Sequence, residues 1–87
     1  MRRRARVDTN HPDIVEVLRK AGCRVLSLAA IGKGCPDLLV ESPRYGLMLV
    51  EVKRPKGTLT GDQEQFQAAG WPVYIVRSVE DAVAVIL

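Results

Sequence analysis

The stretch GLMLVEVK (46–53) constrains this chain more than any other. A β-strand turns successive side chains to opposite faces, yet here both sets are apolar. Leu47 and Leu49 fall on one face, and Met48, Val50 and Val52 on the other. An amphipathic strand at the surface of a one-sided sheet would alternate with polar residues. This one predicts a sheet with helices on both faces.

The flanking segments supply such helices. In NHPDIVEVLRKAG (10–22), Asn10 reads as an N-cap, Pro12 sits in the first turn, Asp13 follows the cap by three residues and Gly22 is a stop. Ile14, Val17, Leu18 and Ala21 make the apolar face. CRVLSLAA (23–30) reads as a strand, IGKG as a glycine-rich loop, and PDLLVE and GLMLVEVK as two strands joined by the SPRY turn. After the RPKGTL loop, Thr60 and Gln63 form a capping box that opens the helix GDQEQFQAA, which Gly70 ends. WPVYIV is a fourth strand, and Ser78 caps a last helix, VEDAVAVIL. The order is α-β-β-β-α-β-α: a three-stranded meander, then a helical crossover that sets the fourth strand parallel to the third.

At 87 residues the chain has room for one core. Residues 1–9 read as a basic arm and 10–87 as a single domain. Hydrophobic residues make up 47% and aromatics only 5%, so the core is aliphatic. A domain this small is marginal alone, and a homodimer is expected. The net charge is +3 and the pI about 9.2, with Arg2, Arg3, Arg4 and Arg6 in one cluster and Lys53, Arg54 and Lys56 in another. That distribution suits a polyanion such as nucleic acid, although an arginine run can equally be a solvated tail. Cys23, Cys35 and the single histidine, His11, have neither zinc-site spacing nor a disulfide framework, and both cysteines read as small buried hydrophobes. No apolar h-region follows MRRR and no run approaches a membrane span, so a soluble, reducing, cytoplasmic setting is expected.

Against this apolar background, three charged residues stand out. Glu51 and Lys53 share one face of the third strand, and pairing through SPRY brings Asp37 across from its end. A buried carboxylate without a partner is costly. One acid beside one lysine would read as a salt bridge. Two acids beside one lysine leave negative charge over, which a hard divalent cation with oxygen ligands relieves; Mg²⁺ or Mn²⁺ fits, and Zn²⁺ does not.

In these residues the chain resembles the PD-(D/E)XK nuclease superfamily and, within it, the VRR-NUC (virus-type replication-repair nuclease) domain. GCPDLLV, LVEVK and LTGDQ, in that order over residues 34–63, carry the resemblance, and RVDTNHPDIVEVLRKAG is similar to small phage and prophage members. It implies a restriction-endonuclease-like α/β core with a four-stranded mixed sheet flanked by helices, in a bacterial or phage-infected host cell. It implies a metal-dependent endonuclease acting on duplex or branched DNA, including Holliday-type junctions, as a homodimer. Asp37 and Glu51 would ligate the cation with the Val52 carbonyl, and Lys53 would orient the attacking water and stabilise charge on the phosphate. Gln63 matches the helix glutamine that orders the site, although the capping box alone accounts for it. For the carboxylate that the family carries on its first helix, Asp13 is the candidate; Glu16 points away from the apolar stripe.

Lys33, between Gly32 and Gly34, is a candidate phosphate contact, with a flexible turn as the plain alternative; it is no P-loop, because no Ser or Thr follows the lysine. His11 reads as a helix opener, and Phe66 and Trp71 as packing residues. The rival to an enzyme is a nucleic-acid-binding module that keeps the nuclease fold without cleavage.

Overall fold

The computed structural model describes residues 10–87, so Arg2, Arg3, Arg4 and Arg6 lie outside the described residues. The elements are α1 (His11–Lys20), β1 (Arg24–Ser27), β2 (Leu38–Ser42), β3 (Gly46–Val52), α2 (Gly61–Ala68), β4 (Val73–Val76) and α3 (Val79–Ile86), in the expected order. They build one mixed sheet, β1-β2-β3-β4. The first three strands are antiparallel and β4 runs parallel to β3, as the crossover requires.

Local chemistry sets the joints. Ser42 Oγ accepts from the N–H groups of Arg44 and Tyr45, closing the turn between β2 and β3. Thr60 and Gln63 form the capping box at α2, and Ser78 Oγ accepts from Asp81 N–H at α3. β1 ends at Ser27, three residues short of the expected Ala30: Leu28 N–H donates to the Asp37 carbonyl at 2.7 Å, and the chain then leaves the sheet in a loop. In that loop Gly32, Lys33 and Gly34 all have positive φ (72°, 56° and 80°). Two of the three are glycines, which take this conformation without cost.

Ile14 and Leu18 of α1 pack with Ala82 of α3 over Leu38, Val40, Met48, Val50, Val52 and Val76. All are buried, and this face of the sheet is the aliphatic core. The opposite face is only half covered. There α2 brings Phe66 over Val73, Pro36, Leu59 and Glu51, and Phe66 stacks on Trp71 with ring centroids 5.4 Å apart. An eight-residue helix is about 12 Å long and does not reach across four strands. Leu26 and Leu47 are therefore left 59% and 71% exposed. The expectation that both faces of β3 are covered along their length holds at its C-terminal end and fails at Leu47.

Candidate active site

The site grows from the end of β3. Val50 and Val52 turn into the core, which directs Glu51 to the α2 side, where it is only 3% exposed. Leu38 pairs with Val50, so Asp37, one residue before β2, arrives beside the last turns of the β3 pleat. Its Oδ2 accepts from Val52 N–H at 2.8 Å, which fixes the carboxylate at the strand end. Lys53 continues on the Glu51 face. Its Nζ lies 3.7 Å from Glu51 Oε2, and its N–H donates to the Val76 carbonyl, so the parallel pairing holds its backbone.

Gln63 performs both of the roles open to it. Its Oε1 accepts from Thr60 N–H (2.9 Å) and closes the capping box, while its Nε2 donates to Glu51 Oε2 (2.8 Å). One amide therefore ties the start of α2 to the acid. Close approach permits this: a side chain at Gly34 would collide with the Asp62 carbonyl, so only glycine lets the loop pass under the first turn of α2.

Glu51 is the strained member electrostatically. Burial and the neighbouring Asp37 charge push its pKa up to about 7, against a smaller opposing pull from Lys53. The thiol of half-buried Cys35 is raised too, by burial and then by Glu51 and Asp37. One lysine does not neutralise two crowded carboxylates.

A cleft of about 630 Å³ opens over this cluster, lined by Asp37, Glu51, Val52, Lys53 and Gln63, by Arg54, Lys56 and Gly57 of the loop after β3, and by His11. Arg54 and Lys56 are exposed at its edge. Lys33 is exposed but does not line the cleft, and Asp13 is exposed on α1 and does not line it either. At the start of α1, His11 faces the cleft instead. Glu16 pairs with Lys20 at 3.3 Å, away from the site. Among the described residues no three His, Cys, Asp or Glu side chains are grouped as a metal cage. A cation here would rest on two carboxylates, a backbone carbonyl such as that of Val52, and water or substrate oxygens. That donor set, hard and short of positive charge, fits Mg²⁺ or Mn²⁺, which are commonly held by one or two carboxylates plus substrate phosphates.

Sequence reasoning missed two residues besides His11. Asn10 makes no side-chain cap; its Nδ2 donates to the carbonyls of Lys53 (3.3 Å) and Arg77 (2.9 Å). Arg77 binds the loop after Lys53 through its guanidinium. Their partners are 20 or more residues away, and local patterns carry no signal for such bonds.

A mixed four-stranded sheet that presents Asp, Glu and Lys from the meeting point of β2 and β3 defines a nuclease-type fold of the PD-(D/E)XK kind. The VRR-NUC domain family model matches residues 3–80, and the chain belongs to that family. A solved structure described as a VRR_NUC domain is 28% identical, with a TM-score of 0.63 over 91% of this chain and 96% of its own. A second, described as a VRR_NUC domain protein, shares the fold at 17% identity and a TM-score of 0.57, over 93% of this chain and 88% of its own. No curated protein matches the chain.

Proposed function

We propose that this domain is a divalent-metal-dependent endodeoxyribonuclease that hydrolyses phosphodiester bonds with one Asp37–Glu51–Lys53 site per protomer. The observation that carries this reading is the carboxylate pair: Glu51, buried and pushed up to about 7 beside Asp37, has one ammonium 3.7 Å away and an open cleft in front of it. A merely structural ion pair has no need of a second acid or of an opening.

Asp37, Glu51 and the Val52 carbonyl would hold Mg²⁺ or Mn²⁺; such an ion acidifies an attacking water and offsets charge developing on the phosphoryl oxygens. The chain's own groups do the rest. Val52 N–H and the Gln63 amide hold the two carboxylates in place, which spares reorganisation during the reaction. Lys53, anchored through its backbone to β4, sets an ammonium against the scissile phosphate and the incoming water. Arg54 and Lys56 carry positive charge along the path of the strand.

The proposed substrate is duplex or branched DNA, with symmetric four-way junctions cut in pairs by a homodimer. The bare half of the sheet, Leu26 and Leu47 with the Arg24–Glu41 ion pair beside them, supports a second copy as the other half of the enzyme. Purified protein incubated with junction, flap, linear duplex and single-stranded DNA, each with Mg²⁺, Mn²⁺ or EDTA, tests the reading. Cleavage that needs a cation and is lost in Lys53→Ala supports it. Binding without cleavage in every condition overturns it in favour of a non-catalytic module.

A further inference from the structure

The loop after Lys53 has no regular structure, yet it is held at several points, and most of them lead to Arg77. This half-buried residue directly follows β4. Its N–H donates to Asp81 Oδ2 at 2.9 Å, tying it to α3, and its carbonyl accepts from Asn10 Nδ2, tying it to α1. Its Nη1 donates to the carbonyls of Arg54 (3.1 Å) and Gly57. Gly57 N–H in turn donates to the Arg54 carbonyl at 2.9 Å, so residues 54–57 form a closed turn with the guanidinium across its mouth. Among the described residues, no carboxylate lies within ion-pair distance of that guanidinium. Its charge is therefore spent on the backbone carbonyls of Arg54 and Gly57, two residues that line the cleft.

Such an arrangement suits presentation rather than bulk stability. A loop that carries two cations gains little by contacting phosphate if it must be ordered at the moment of binding, because ordering costs conformational entropy. A loop already pinned avoids that cost. We propose that Arg77 is a positioning residue for substrate: it holds the 54–57 turn at the cleft so that Arg54 and Lys56 meet backbone phosphates of the bound strand. The inference rests on the nuclease reading above and deepens it.

Arg77→Lys keeps the charge but replaces the planar fork with a single ammonium, and Arg77→Met removes both charge and donors. DNA affinity is read by fluorescence anisotropy on a labelled duplex in EDTA across a salt series, beside thermal melts and steady-state cleavage. Arg77→Met is expected to weaken binding about tenfold and to lower the log–log salt slope by about one to two, the loss of one or two phosphate contacts. KM should rise by a similar factor, while kcat at saturating DNA stays within a few-fold. Arg77→Lys should show most of this loss. In the background Arg54→Ala/Lys56→Ala, adding Arg77→Lys should cost little more, because the groups it positions are already gone.

Wild-type affinity and slope in Arg77→Met, full rescue by Arg77→Lys, or fully additive losses in the triple variant would each overturn the inference. If Arg77→Met does not fold, Arg77→Lys and the additivity test decide. Cleavage by the wild-type protein alongside unaltered binding by the variants sinks this inference alone. A wild-type protein that binds DNA but never cleaves it sinks the nuclease reading alone.

Discussion

Replacing Glu51 by Gln should make the domain more stable near neutral pH, by an amount that grows as the pH rises. The unfolded chain releases the Glu51 proton near the ordinary glutamate value of 4.5, and the folded domain holds it until about 7. Between those values the native state binds the extra proton, so its stability falls as pH rises through the window. The rise from 4.5 to about 7 corresponds to on the order of 3 kcal/mol. The open cleft screens the charges, so about 1–3 kcal/mol is expected. Urea unfolding in EDTA at pH 5, 6, 7 and 8 measures it. The wild-type protein should lose this stability across the series, and Glu51→Gln should lose correspondingly less. Mg²⁺ should restore more at pH 8 than at pH 5, because a cation favours the ionised pair and stabilises only the folded state. Parallel pH curves for the two proteins would refute the reasoning, as would equal stabilisation by Mg²⁺ in both.

Other perturbations test the support of the site. Gly34→Ala should destabilise the domain by about 2 kcal/mol or more and reduce cleavage, since the added methyl collides with the Asp62 carbonyl at a positive-φ position; thermal melts and turnover check this together. Thr60→Ala should cost about 1 kcal/mol of stability with turnover within a few-fold of wild type, whereas Gln63→Leu should add a loss of at least about tenfold in kcat, because only the second removes the bond to Glu51. For the proposed homodimer, Leu47→Asp should give a monomer by light scattering while leaving the Asp37–Glu51–Lys53 cluster in place, and the paired junction cuts proposed for it should fall more than single nicks.

The order of elements was legible because apolar spacing reports it directly. The parallel β4 followed from the crossover, and the face shared by Glu51 and Lys53 followed from strand alternation. What could not be read depended on reach and on distant partners. Alternation says that Leu47 and Leu49 share a face, but not that α2 stops short of one of them. The helix start at Asn10 was visible, yet its amide reaches Lys53 and Arg77 instead of its own first turn, which leaves His11 at the cleft and Asp13 outside it. Local patterns offered two explanations for Gln63 and no means of choosing. The folded chain uses opposite ends of one amide for both.

That shared amide has a cost under heat. α2 is eight residues long and none of them is fully buried, so its first turn is held chiefly by the capping box. Short, solvated helix ends open far below the global unfolding energy. Each such opening detaches Gln63 from Glu51 while the aliphatic layer beneath α1 and α3 stays intact. Warmed samples should therefore fall silent as catalysts several degrees before their tertiary structure melts, and should recover on cooling.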